Sequence, residues 1–319
     1  MSSAATTIEK GGPVPSLKLN DGNEIPILSY GFGTANFAGN DDDISKLAVM
    51  AIKNGYIHLD GAESKFNPSR PIFMDFINVV LVYENETGMC AGIKASGVPR
   101  EKLFIVTKVV GKKNQDIPGA LETSLKKLGV KYLDLYLVHI PYGAGSPEEL
   151  QRVWAEMEAA KEAGKAKSIG VSNFMEEDIE VILKTAKTIP AINQIEFHPY
   201  LQHQNLINYL REKNIAISAY SPLAPLTAAR PGPLDDTFAE LAKKYGVSES
   251  EIVLRWVIDQ GIVAITTSKK EERLQGYMKN LFSFKLSAEE VKRISEIGKQ
   301  KHYKGPGEKT MRALYTPKD

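Results

Sequence analysis

The chain has 319 residues, of which 43% are hydrophobic, and a formal net charge of +1. This length allows two ordinary domains or one large barrel, and the near-neutral charge gives no general attraction to nucleic acid or anionic membranes. The single cysteine, Cys90, cannot form an internal disulfide, and residues 1–7 lack the basic and apolar regions of a secretory signal. These features favour a cytosolic protein with a small-molecule partner, and we assign Cys90 a packing role.

The predicted elements begin with a β-hairpin, in which residues 16–20 and 23–27 flank the turn signal Asp21-Gly22. We expect it to form a lid or a plug outside the main repeat. Eight apolar runs suited to buried parallel strands follow at residues 28–31, 56–60, 103–109, 133–139, 168–171, 191–196, 216–220 and 262–266. Helical periodicity follows each strand, at residues 43–54, 85–96, 116–128, 146–163, 176–186, 205–213, 248–260 and 270–281, and extra helices are predicted at 234–245 and 288–299.

Eight β/α units without a linker or low-complexity break favour one closed (β/α)8 TIM barrel over an open doubly wound sheet. We therefore predict a single barrel domain over residues 1–319, with an N-terminal β-hairpin and extra helices. Residues 65–82 fit neither pattern and form an atypical insertion.

Polar residues end several of the predicted strands. They are Asp60, Lys108, His139, Ser172, Asn173, Gln194, Tyr220 and Ser221. In a barrel of this kind, functional groups gather at the carboxyl ends of the strands, and an ionisable side chain there is desolvated unless it is paired. Alone, a strand-end lysine commonly reaches solvent and a lone histidine is commonly a core residue. Together they predict one site, with Asp60 as the partner of Lys108.

Seven motifs then occur in a recognisable order. They are GYIHLDGAES (55–64), YENE (83–86), TK (107–108), VHIP (138–141), IGVSNF (169–174), NQIEFHP (193–199) and YSPL (220–223). In order and spacing they resemble the aldo-keto reductase superfamily, from about residue 17 to residue 298. Within it the chain looks most like the fungal-type reductases of ketopantoyl lactone, conjugated polyketones and α-keto esters or amides.

The resemblance implies an NADPH-dependent carbonyl reductase. Tyr83 would be the general acid, with its phenol pKa lowered by Lys108, whose ammonium Asp60 holds; His139 would orient and polarise the substrate carbonyl. Ser172, Asn173 and Gln194 resemble the clamp on the nicotinamide carboxamide, Tyr220 its stacking platform, and Ser221 and Leu223 would lie along the pyrophosphate. For any one of Ser172, Asn173, Gln194 and Tyr220 taken alone, ordinary strand-end hydrogen bonding is the preferred explanation.

NADPH preference depends on residues 266–273, where Ser268 and Arg273 match the family's contacts to the ribose 2′-phosphate. Thr267 replaces the family's usual lysine, and Tyr277 stands where asparagine is common. Lys269 or Lys270 would supply the missing charge, or form a solvated face, and NADH remains a lesser possibility. Ala35, where many members have tryptophan, implies a substrate pocket unlike that of aldose reductase.

The family spacing places the tyrosine directly after Ser64, so the insertion 65–82 adds 18 residues before Tyr83. Its clean edges suggest a translated intron, and a genuine loop insertion is the alternative. Three functions follow: an active reductase, an NADPH-binding auxiliary barrel, or an inactive splice product. No metal ligands are predicted, His58, His198, His203 and His302 are interpreted as structural or exposed, and the family's usual state is a monomer.

Overall fold

The computed structural model describes residues 14–33, 40–63 and 85–305, and its first two strands form the predicted hairpin. β1 (Ser16–Lys18) pairs antiparallel with β2 (Glu24–Pro26), with Leu17 opposite Ile25. The insertion at residues 65–82, Tyr83 and Ala35 lie outside the described residues.

The next eight strands form a closed parallel barrel, in which each strand pairs with the next and the last pairs with the first. They are β3 (Leu28–Gly31), β4 (His58–Asp60), β5 (Phe104–Val109), β6 (Leu133–Val138), β7 (Ala166–Ser172), β8 (Ile192–Glu196), β9 (Ala216–Tyr220) and β10 (Val263–Thr266). Closure places Thr266 of β10 opposite Tyr30 of β3. All eight predicted strands and the predicted barrel are confirmed.

The hairpin closes the end of the barrel where the strands begin. Leu17, Leu19 and Ile25 are buried in one cluster with interior side chains of β5, β6, β8 and β10. Asn23 fixes the turn by donating to the Lys167 carbonyl oxygen and to the Ser168 hydroxyl at 3.1 and 3.0 Å. Of the two predicted forms, the hairpin is therefore the plug.

Helices surround the barrel at the predicted places. They are α1 (Asp41–Lys53), α2 (Glu86–Ser96), α3 (Ile117–Leu128), α4 (Pro147–Glu162), α5 (Glu176–Leu183), α6 (Gln204–Glu212), α7 (Asp235–Tyr245), α8 (Glu249–Ile258), α9 (Glu271–Asn280) and α10 (Ala288–Gly298). Local caps explain several starts, because Ser248 and Ser287 each form a capping box with a glutamate three residues later. None of the described helices is both long and apolar enough to cross a membrane.

The largest difference from the predicted helix ends is at α5, which ends at Leu183 and not at residue 186. The Glu158 carboxylate of α4 accepts the backbone N–H groups of Lys187 and Thr188 at 2.7 and 2.6 Å. These charge-assisted hydrogen bonds draw the chain toward α4 and compete with continuation of the helix.

Candidate functional site

A cavity of about 490 Å³ lies at the carboxyl ends of the barrel strands. Its lining includes ten of the predicted site residues: Asp60, Lys108, His139, Ser172, Asn173, Gln194, Tyr220, Ser221, Leu223 and Arg273. This volume suits a small-molecule or cofactor site. The residues predicted at strand ends come from the carboxyl ends of six strands, and they meet in this cavity with Leu223 and Arg273, which the family resemblance added.

Lys108 and Asp60 form a buried ion pair at the cavity wall. The Nζ atom of Lys108 lies 2.6 Å from Oδ1 of Asp60, and it also donates to the Gly61 carbonyl oxygen at 2.7 Å. The two side chains are only 5% and 9% exposed, so neither charge is compensated by bulk water. The predicted pairing is confirmed, and its short distance marks a charge-assisted hydrogen bond.

The second oxygen of Asp60 connects this pair to the opposite wall. Gln194 donates from Nε2 to Oδ2 of Asp60 at 2.8 Å, and its backbone carbonyl accepts the Ser172 hydroxyl at 2.8 Å. Both carboxylate oxygens are thus satisfied, and strands β4, β5, β7 and β8 are joined through side chains at their ends.

Asn173 is held in a strained conformation at the centre of this network, with φ of 61°. Its Nδ2 donates to the His139 carbonyl oxygen at 3.0 Å and to the Ser172 hydroxyl at 3.1 Å, and its Oδ1 accepts the Tyr220 hydroxyl at 2.8 Å. Ser221 also has a positive φ, of 52°. Left-handed conformations of non-glycine residues cluster at functional sites, where surrounding contacts hold them.

His139 follows β6 and is almost fully buried. Burial, together with the nearby positive charge of Lys108, lowers the pKa of His139 from its ordinary 6.5 to about 3. The imidazole is therefore neutral at physiological pH, with one nitrogen able to donate and the other able to accept.

The residues predicted to bind a 2′-phosphate divide into two groups. Arg273 lines the cavity and is exposed, and its guanidinium makes no hydrogen bond or ion pair with any residue that the structure describes. Ser268 does not line the cavity; its hydroxyl accepts the N–H of Lys270 at 2.9 Å and donates to the Lys270 carbonyl at 3.1 Å. The side chains of Lys269 and Lys270 are exposed beside this turn and also lie off the cavity lining, whereas Thr267 contributes to it.

Asn85 and Glu196 also line the cavity, although the sequence reasoning assigned them no role. Asn85 accepts the Ala62 N–H and donates to the Phe32 carbonyl, both at 3.3 Å. Glu196 is two residues after Gln194 on one strand, so the two-residue repeat of a strand would have placed both on one face. That repeat was the available signal for Glu196.

The side chains set aside from the site behave as structural residues where the structure describes them. His58 is buried, its Nδ1 lies 2.9 Å from the Pro26 carbonyl oxygen, and burial lowers its pKa to about 4. His198 is buried beside Glu196, His302 is exposed, and Cys90 is buried. Among the described residues no cluster of three or more His, Cys, Asp or Glu could hold a metal ion.

Comparison with known proteins defines the class. The model of the aldo/keto reductase family matches residues 29–299, and the chain belongs to this family. It is 38% identical over 290 residues to an NAD/NADP-dependent indole-3-acetaldehyde reductase of Schizosaccharomyces pombe, covering 88% of this chain and 94% of that protein. It is 37% identical over 298 residues to an NADPH-dependent alpha-keto amide reductase of Saccharomyces cerevisiae, covering 88% and 89%.

A solved relative has the same fold. The crystal structure of a Bombyx mori aldo-keto reductase in complex with NADP superposes with a TM-score of 0.77 at 35% identity, covering 89% of this chain and 92% of that one. The predicted resemblance to the family is confirmed.

Proposed function

We propose that this protein is an NADPH-dependent carbonyl reductase that transfers hydride from nicotinamide to a ketone or aldehyde, with α-keto esters, lactones and diketones as favoured substrates. The observation that carries the proposal is the buried Lys108–Asp60 pair, which lines one cavity with neutral His139. The named activities of the two yeast relatives support the same reaction class.

The cavity residues fit a phosphorylated dinucleotide. The Tyr220 ring offers a flat surface, and the hydroxyl of Thr266 is buried without a hydrogen bond to any described residue. Ser172, Asn173 and Gln194 would hold the carboxamide, and Ser221 and Leu223 would border the pyrophosphate. Arg273 on the cavity lining would receive the 2′-phosphate, together with Ser268, Lys269 and Lys270 on the turn beside it. When bound, the reduced nicotinamide supplies the hydride.

We assign proton donation to Tyr83, which stands two residues before the cavity residue Asn85 in the sequence. The ammonium of Lys108 would favour the phenolate, because a positive charge stabilises the anionic form of a neighbouring group. Asp60 and the Gly61 carbonyl hold that ammonium at one position. Lys108 would therefore lower the pKa of the Tyr83 phenol through a positive charge held at a fixed position.

His139 would orient the substrate. A neutral imidazole can donate its N–H to the carbonyl oxygen, and that hydrogen bond polarises the C=O group without delivering the proton. Because its pKa is about 3, the same protonation state holds across the physiological range.

The test is the loss of NADPH absorbance with a panel of α-keto esters, lactones, diketones and aldehydes, in wild type and Tyr83→Phe. We expect turnover on at least one activated ketone and a loss of about a hundredfold or more in kcat/KM for Tyr83→Phe. A Tyr132→Phe variant, at the opposite end of the barrel beside Arg100 and Lys167, serves as control.

The alternative is a catalytically impaired NADPH-binding barrel, an auxiliary subunit or splice product, motivated by the insertion 65–82. Tight NADPH binding without turnover on any carbonyl would establish it and reject the enzyme. Undiminished activity in Tyr83→Phe would instead reject the assigned proton donor alone. From composition and the family resemblance we further propose a single-domain, cytosolic monomer.

A further inference from the structure

Tyr30 of β3 reaches from the barrel wall to the loop that follows the last strand. It is fully buried, and its hydroxyl donates to the backbone carbonyl of Ser268 at 3.0 Å. The contact joins residues separated by 238 positions in the chain, across the β3–β10 closure of the barrel. Tyr30 itself does not line the cavity.

The turn that receives this hydrogen bond is also fixed from within. The Ser268 hydroxyl bonds to both the N–H and the carbonyl of Lys270, and the N–H of Arg273 bonds to the Lys270 carbonyl at 3.2 Å. The Tyr30 hydroxyl therefore provides a contact between this turn and the barrel wall. Without it, the buried Ser268 carbonyl would lose its hydrogen bond from Tyr30, at a cost typical of an unsatisfied buried acceptor.

The ring of Tyr30 cannot shift easily. It packs edge-on against Phe32 at 5.0 Å and against Tyr56 at 5.9 Å between ring centroids. The Tyr56 hydroxyl donates to the Leu274 carbonyl in α9 at 3.4 Å. Two phenols of one aromatic cluster thus hold the backbone on both sides of Arg273, at residues 268 and 274.

We propose that Tyr30 is a positioning residue for cofactor selectivity, which places the Ser268–Arg273 turn so that a ribose 2′-phosphate is bound in preference to a 2′-hydroxyl. This rests on the proposed function, in which Ser268 and Arg273 receive that phosphate. The exposed Arg273 guanidinium makes no hydrogen bond or ion pair with a described residue, so the backbone that carries it sets which part of the cavity mouth it can reach. Fixing the backbone beneath such a donor lowers the ordering cost when the phosphate binds.

Tyr30→Phe tests the proposal, because it keeps the ring and its edge contacts and removes only the hydroxyl. Binding of NADP+ and of NAD+ to the full chain is measured by isothermal titration calorimetry, and unfolding is followed for each variant. We expect the Kd for NADP+ to rise about tenfold, which corresponds to roughly 1.4 kcal/mol, and the Kd for NAD+ to change less than about twofold.

Tyr56→Phe is the matched control, since it removes a second buried phenol of the same cluster whose hydrogen bond is longer. It should lower the NADP+ preference less than Tyr30→Phe does. Arg273→Ala completes a double-mutant cycle: if Tyr30 acts through Arg273, then Tyr30→Phe should change the NADP+ affinity little in the Arg273→Ala background.

The outcomes separate the two proposals. Equal affinity of the wild type for NADP+ and NAD+ would reject both the 2′-phosphate site and the role of Tyr30. A wild-type preference that survives Tyr30→Phe, or equal weakening of both cofactors, would reject the role of Tyr30 alone.

If Tyr30→Phe does not fold, amide hydrogen exchange of the wild type without cofactor tests whether the turn is already ordered. The amides of Lys270 and Arg273, which hydrogen-bond within this turn, should be protected before any cofactor is added. Protection that develops only with NADP+ would overturn the proposal.

Discussion

Both side-chain oxygens of Glu196 accept a hydrogen bond from the backbone N–H of Gly305, at 2.9 and 3.1 Å. Glu196 ends β8, and Gly305 belongs to the segment that follows α10. Both residues line the cavity, with Tyr303 between this contact and α10. The Glu196 carboxylate therefore holds the segment after α10 against the cavity end of the barrel.

Glu196→Gln should destabilise the protein. The amide keeps the size of the side chain but loses the charge, and charge-assisted hydrogen bonds are about twice as strong as neutral ones. We expect the free energy of unfolding to fall by about 1–2 kcal/mol, measured by urea denaturation. Glu296→Gln, whose exposed side chain pairs with Lys299, is the control and should leave the midpoint unchanged. Equal midpoints for both variants would contradict the anchoring role.

Lys108→Met should abolish most carbonyl reduction. We expect kcat/KM to fall by about a hundredfold or more, and stability to fall by about 3–5 kcal/mol because Asp60 is left as an unpaired buried charge. In the double variant with Asp60→Asn, stability should recover while activity stays lost. Recovery of both, measured by steady-state kinetics and denaturation, would show that the pair is structural only.

Stability should decrease as the pH falls from 7 toward 5, because His58 and His139 are buried as neutral groups. Their pKa values of about 4 and about 3 lie below the ordinary 6.5 of the unfolded chain, since burial disfavours the charged ring. The unfolded state therefore binds protons first, and the stabilisation present above pH 6.5 is lost below it. Each histidine should account for about 2 kcal/mol between pH 7 and pH 5.

His58→Asn isolates one of these contributions, because its amide can still donate to the Pro26 carbonyl but does not titrate. Urea denaturation at pH 7, 6 and 5 should show the pH-dependent loss reduced by about half. Glu290, whose pKa is lowered to about 2, titrates below this window and does not interfere. An unchanged pH slope in His58→Asn would contradict the assignment.

Deleting residues 65–82 should keep or raise activity, because the deletion restores the family's spacing from Asp60 to Tyr83. Steady-state kinetics on the deletion variant and on the full chain provide the measurement, and Tyr83→Phe in the deletion background is the control. A deletion variant that folds and binds NADP+ but loses an activity of the full chain would show that the insertion is functional.

Local patterns predicted the framework and much of the site. Apolar runs located every barrel strand, and the polar residue that ends each run located Asp60, Lys108 and His139. The barrel topology then brought the strand ends together, so that the Lys108–Asp60 pair was predictable without coordinates.

Contacts made by loops were not predictable in the same way. The Glu196–Gly305 contact spans 109 positions and depends on the path of the chain after α10. The Tyr30–Ser268 contact depends on how the barrel closes, and neither residue type signals its partner. The sequence also grouped Ser268 with Arg273, whereas the Ser268 hydroxyl is bonded within its own turn.

The hairpin plug and the cavity lie at opposite ends of the barrel, so the amino acids at one end can be substituted without direct contact with the other. Leu17, Leu19 and Ile25 fill the end where the strands begin, while every predicted site residue on the cavity lining lies at the other end. Substitutions that improve packing around the plug can therefore be accumulated to raise thermal tolerance without reshaping the cavity. In directed evolution, substitutions around the plug would raise thermal stability, and substitutions around the cavity would change substrate specificity.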